Sequence, residues 1–293
     1  MYDLKQTFPK TVQTEVKDIP QVIHGIEGRV DLRDKEIFTI DGADTKDIDD
    51  AISLSKNGDN YLLGVHICDP TGYIGKHSIL FDEAYKRTTA IYSSLGTMTM
   101  YPEQYAKNYM SLTQDKNRFC TSYYLEITKD GEILLDSCVF KKSIVNVNRR
   151  LNYNNFNLLA RTGSDDRKLN ETIEGLQEVC DCLSKRFIMD ENYRIAHRGE
   201  ANVSATNITG SSSGEKIVEF AMLAANTSVA SYAAKKGIPF IYRGHQLDMD
   251  YLAKIDYFDK IFRENPTSEN YEVFVNLLKS TYPKSFYTTD SNI

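Results

Sequence analysis

The sequence has no tryptophan, only five cysteines among 293 residues, and no excess of basic charge. Cys68, Cys120, Cys138, Cys180 and Cys182 are odd in number and scattered, with no C-x-x-C pair and no histidine at zinc-ligand spacing. This pattern excludes a structural zinc fold and points to a reducing cytoplasm. Long apolar runs are missing too. The longest uncharged stretches, residues 88–102 and 220–234, are broken by Ser, Thr or Asn and fall short of the roughly 18 apolar residues of a membrane span, so no bilayer crossing is expected. Met1-Tyr2-Asp3-Leu4-Lys5 lacks the basic-then-apolar layout of an export signal. A net charge of −6 and a pI of about 5.5 argue against a surface that attracts nucleic acid everywhere, while leaving a local site open. His24, His66, His77, His197 and His245 share no spacing, and His66 within an apolar run reads as a hydrogen-bonded core residue.

What is present is ordinary globular material: 41% hydrophobic and 26% charged residues, in a chain long enough to bury a continuous core. Residues 1–28 are polar and without clear period, a lead-in to a domain that starts at Arg29. Apolar and β-branched alternation predicts strands at 36–40, 51–55 and 61–67, then a helix at 80–92. Residues 119–128 and 132–142 read as a hairpin around Lys129-Asp130-Gly131. Ser164 is placed to cap a long helix whose apolar face is Leu169, Ile173, Leu176, Cys180, Leu183 and Phe187. A second long helix at 216–236 closes on Lys235, Lys236 and Gly237. A Gly/Ser-rich loop at 206–214 separates the two, and further helices are expected at 250–263 and 268–281. Strands dominate the first half and helices the second, so the class is α+β, a mixed or antiparallel sheet with surrounding helices.

The informative segment is Asp41-Gly42-Ala43-Asp44-Thr45-Lys46-Asp47-Ile48-Asp49-Asp50, five carboxylates and one lysine in ten positions. Two like charges ~4 Å apart repel by about 4 kcal/mol at the effective dielectric of a protein surface. A turn that gathers several of them loses stability unless a cation occupies the centre. The run lies between two apolar strands, which hold the acids at strand ends rather than on a free tail. Hard oxygen donors at this density suit magnesium or manganese. An EF-hand calcium loop is excluded, because from Asp41 the third position is Ala43 and the sixth Lys46, and from Asp47 the fifth is Ala51. A two-metal phosphodiesterase site fits better.

Arg29-Val30-Asp31-Leu32-Arg33-Asp34, Phe38-Thr39-Ile40-Asp41, the spacing of Asp41, Asp47, Asp49 and Asp50, and Leu63-Gly64-Val65-His66-Ile67-Cys68-Asp69 together resemble the RNB catalytic domain of the ribonuclease II and ribonuclease R family. The resemblance continues through Met98 to Glu103, Leu151-Asn152-Tyr153, the apolar run 217–226 and Phe240-Ile241-Tyr242-Arg243-Gly244-His245. It implies a hydrolytic 3′-to-5′ exoribonuclease that degrades single-stranded RNA to nucleoside 5′-monophosphates with magnesium, or manganese in its place. By that resemblance Asp41, Asp47, Asp49 and Asp50 are metal ligands, Asp49 is the catalytic residue whose loss costs most, and Tyr92 and Tyr153 stack on bases. Asp44 is extra acid. The family's domain fills residues 29–293, while the short lead-in leaves no room for the usual RNA-binding domain.

The chain also stops before the family's Ser-Pro-apolar-Arg motif. It is therefore expected to be incomplete at its carboxyl end, unless a second chain supplies the remainder. Loss of one preorganised donor costs about 10²- to 10³-fold in rate, which keeps a second reading open: a catalytically defective remnant that binds RNA or a partner. Met110 stands where the family commonly has Cys before Ser111-Leu112, a packing exchange. Lys141-Lys142 and Arg149-Arg150 read as solvated, or less often as phosphate contacts.

Overall fold

A computed structural model describes residues 7–20, 26–93, 96–189, 213–245, isolated positions between 253 and 273, and 285–290. By contact the chain divides into two units, residues 1–181 with 212–225, and residues 182–211 with 226–293. The first unit is built on a seven-stranded sheet. Its strands are β1 (Val30–Asp31), β2 (Phe38–Asp41), β3 (Asp50–Asn57), β4 (Asn60–Cys68), β7 (Asn117–Ile127), β8 (Val139–Asn146) and β9 (Arg149–Asn152), in the spatial order β1-β8-β7-β4-β3-β2-β9. A short ribbon, β5 (Ile91–Ser93) with β6 (Gly96–Met98), stands apart from it. The run from β8 to β2 is antiparallel, and the parallel pairs β1·β8 and β2·β9 close its two edges. The expected α+β class with a mixed sheet therefore holds.

Helices cover the sheet. α1 (Lys10–Asp18) and α2 (Ile79–Arg87) meet through Val12, Val16, Leu80 and Ala84, with Tyr101, Tyr105 and Tyr109 completing the cluster. The described part of the lead-in is thus a docked helix, and Glu15 accepts from the Leu80 N–H at 2.7 Å at the start of α2. α3 (Glu103–Tyr105) runs into a π-helix at Ala106–Met110. α4 (Tyr153–Thr162) follows β9 directly, capped by the Asn152 side chain, which accepts from the Asn155 N–H at 2.8 Å. α5 (Arg167–Met189) buries the expected stripe, Leu169, Ile173, Leu176, Cys180, Leu183 and Phe187, together with Val179. Gly175 lets it approach β3, since a Cβ there would lie 2.7 Å from Leu54 Cδ2.

α6 (Gly214–Lys236) starts two residues before the expected helix. It is long and apolar enough on length and composition to cross a bilayer, where a count of uncharged runs passes over it. Ile217, Phe220, Ala221 and Ala224 along it are buried in protein. In the second unit β10 (Tyr242–His245) pairs antiparallel with β11 (Ser285–Thr288).

Three local expectations change. The helix from residue 79 ends at Arg87, where Thr88 adopts φ 62° while its N–H still bonds Ala84, and the chain re-enters as β5. The turn at Lys129-Asp130-Gly131 forms, with Gly131 at φ 80°, but β8 begins only at Val139 after a 3₁₀ turn at Leu135–Ser137. Asp166, not Ser164, caps α5, accepting from the Lys168 and Leu169 N–H groups at 3.0 and 3.2 Å. The loop at 206–212 lies outside the described residues, as does much of the two last expected helices.

Candidate active site

The acidic segment joins the last residue of β2, Asp41, to the first of β3, Asp50. Because β2 and β3 are antiparallel neighbours, the loop between them brings its two ends to the same end of the sheet's strands. β9 runs parallel to β2 with Asn152 opposite Asp41, so Tyr153, the first residue of α4, arrives at the same end. Gly214 at the start of α6 packs there too. A Cβ at that position would lie 3.1 Å from Ile40 Cγ2 and 3.3 Å from the Tyr153 ring.

The electrostatics record this convergence. Burial, followed by repulsion from Asp50 and then Asp49, pushes the Asp41 carboxyl up to about 6, against a lowering pull from Arg150. Burial and Asp49 raise Asp50 as well. Tyr153 is raised by burial, then by Asp41, Asp50 and Glu215, so the phenol stays protonated. Four side-chain oxygens are buried without a partner among the described residues, and Asp41 Oδ2 is the only carboxylate among them. A buried carboxylate oxygen without a donor is costly, more so than the hydroxyls of Thr39, Tyr124 and Ser228.

Asp69, at the end of the neighbouring strand, shows the contrasting solution. Burial alone would raise it, but Arg29 at 2.6 Å and Thr71 Oγ1 at 2.8 Å outweigh that and hold its carboxyl below the usual range. Asp69 is already satisfied; Asp41 is not.

The four expected ligands are not equally placed. Asp41 and Asp50 are half-buried and, with Asp49, form one electrostatic group beside Tyr153. Asp49 is exposed, and the Cys68 thiol approaches its Oδ1 at 3.5 Å. Asp47 is exposed and is not among the charges that shift Asp41 or Asp50. Among the described residues no three acid, histidine or cysteine side chains close around a common point as a cation site would. The fit to divalent ions therefore rests on the donor chemistry and on the orphaned Asp41 oxygen. Tyr92 lies in β5 opposite Thr97, and its side chain falls outside the described positions.

Two basic residues turn out to be occupied within the protein. Arg149 pairs with Asp166 and with Glu36, the latter at 3.8 Å. Arg150 donates from Nη2 to the Thr45 carbonyl at 2.6 Å, tying the acidic loop to β9. Lys141 and Lys142 are exposed. Cys68, which reaches Asp49, and Ser111, which reaches Lys46 and Ile48, are site contacts that motif reading gave no role.

Comparison with known proteins gives four findings. Residues 29–292 match the family model described as the RNB domain. Ribonuclease R of Thermotoga maritima is 34% identical over 254 residues, covering 82% of this chain and 35% of that protein. Among solved structures, Mycoplasma genitalium RNase R in complex with ribose-methylated single-stranded RNA superposes with a TM-score of 0.77 at 20% identity, over 97% of this chain and 49% of that one. Yeast Ssd1, described as a pseudonuclease, shares the fold with a TM-score of 0.68 at 17% identity, over 94% of this chain and 37% of that one. The chain thus spans about a third to a half of the length of these proteins.

Proposed function

The chain belongs to the RNB-domain family, and from that premise we propose that it is the catalytic portion of a hydrolytic 3′-to-5′ exoribonuclease acting on single-stranded RNA in the cytoplasm. The observation that carries the reading is the half-buried Asp41, pushed up to about 6 by burial and by Asp50 and Asp49, with one oxygen left without a partner. Arg150 offsets that repulsion only in part, and a divalent cation would relieve the remainder. Asp41, Asp47, Asp49 and Asp50 would hold magnesium, or manganese in its place. Bound there, the ions would supply an activated water and neutralise charge on the leaving oxygen. Tyr153, protonated and beside Asp41 and Asp50, offers a ring face to a base and a hydroxyl to a phosphate. Tyr92 is assigned a second stacking role, and stacking of this kind, worth about 1 to 3 kcal/mol per base, is indifferent to sequence.

The test is direct. Single-stranded RNA labelled at its 5′ end is incubated with the chain and magnesium, beside an Asp49→Asn variant. Stepwise shortening by the unaltered chain, lost in the variant, is the expected result. Binding without shortening would instead support a second reading, a defective module that retains RNA. That reading draws on the absence of Asp47 from the charges that shift Asp41 and Asp50 and on a fold also found in a pseudonuclease.

A further inference from the structure

The acids of the loop repel one another, and beyond the internal bond from the Thr45 N–H to the Gly42 carbonyl at 3.1 Å the loop is held by groups outside it. Ser111, 1% exposed, follows the π-helix Ala106–Met110 and closes it with an N–H bond to the Ala106 carbonyl at 2.8 Å. Its hydroxyl donates to the Lys46 carbonyl at 3.0 Å and accepts from the Ile48 N–H at 3.2 Å. These are the backbone groups on either side of Asp47. The next residue adds a third bond, Leu112 N–H to the Ile48 carbonyl at 2.8 Å. Ser111 is itself fixed from behind, because buried Arg118 donates from Nε to its carbonyl at 2.8 Å. π-Helical turns are rare and frequent at functional sites; this one delivers a single hydroxyl to the centre of the acidic loop.

We propose that Ser111 is a positioning residue for the acidic loop, its hydroxyl bracketing Asp47 so that this exposed carboxylate is held for a divalent ion shared with Asp41, Asp49 and Asp50. The inference rests on the reading that these aspartates bind such ions. Asp47 has no side-chain bond of its own among those described, so what the structure fixes is the position of its backbone and the line of its Cα–Cβ bond, held on both sides by one atom. A hydroxyl that merely satisfied buried backbone groups would alter the melting temperature and leave ion affinity unchanged.

The experiment is calorimetric titration of the full chain with manganese alone, comparing Ser111→Thr with Ser111→Val, which have the same shape and differ in the hydroxyl. Thr is expected to retain the affinity of the unaltered chain and Val to lose about 10- to 100-fold, the usual effect of removing a group that orients a ligand. Equal affinities in the two variants would overturn the inference while leaving the metal reading intact. No manganese uptake by the unaltered chain would overturn both. Should Val not fold, Ser111→Ala takes its place. Amide exchange on the unaltered chain adds a readout that needs no variant: the Ile48 N–H must be protected, and exchange at the rate of an open loop would overturn the clamp.

Discussion

A neutral imidazole sits at the centre of the sheet. His66 is fully buried, its Nε2 2.9 Å from Ser53 Oγ and its Nδ1 2.6 Å from Ser122 Oγ, and Ser122 continues to Ser143 Oγ at 2.6 Å. The chain of side chains crosses β3, β4, β7 and β8, which is the hydrogen-bonded core role expected of His66 from its apolar run. Burial pushes the imidazole down to about 3. Above pH ~6.5 neither the folded nor the unfolded chain protonates it. Below that the unfolded chain takes up a proton that the folded chain refuses, so stability falls as the pH drops from ~6.5 toward ~3, by at most about 1.4 kcal/mol per pH unit from this group. Urea unfolding at pH 7.5 and pH 5 should show the loss, with the His66 resonance still that of a neutral ring at pH 5. A ring that titrates near 6.5 would contradict the assignment.

The elements that frame the site depend on a few local choices. Asn152 ends β9 and caps α4, which fixes where Tyr153 begins its helix. Asn152→Ala should cost about 1 kcal/mol in chemical unfolding, with weaker RNA retention if Tyr153 stacks on bases. On β4, a Cβ at Gly64 would lie 2.3 Å from Ser53 Oγ and 3.0 Å from His66 Nε2. Gly64→Ala should therefore destabilise by about 1 to 3 kcal/mol, the usual cost of overpacking. Element positions were legible where one periodicity dominated, as in α5 with its stripe at steps of three and four. They were less so where a short-range signal had competitors. The helix ending at Arg87 gave way to a strand because Thr88 turns the backbone to positive φ, and the cap of α5 passed from Ser164 to Asp166 because the nearer carboxylate reaches two N–H groups.

Over the whole molecule, a ligand that binds only the folded chain raises its stability by mass action, about 2.7 kcal/mol at a hundredfold excess over the dissociation constant. Manganese should thus raise the melting temperature and chelator reverse it, with the response lost in Asp41→Asn; an identical response in that variant would remove Asp41 from the ligand set. The sequence by itself determined the family, the class of fold and the position of the acids at strand ends, because apolar alternation and the spacing of Asp41, Asp47, Asp49 and Asp50 are local properties of the chain. Only the tertiary structure decided how those acids are held. Asp41 is left with an unmatched oxygen while Asp69 is paired with Arg29, and the loop is pinned by Ser111 and Arg150, 63 positions beyond Ile48 and 105 beyond Thr45. Contacts over such separations arise from how the strands and helices pack, and no short stretch of sequence encodes them.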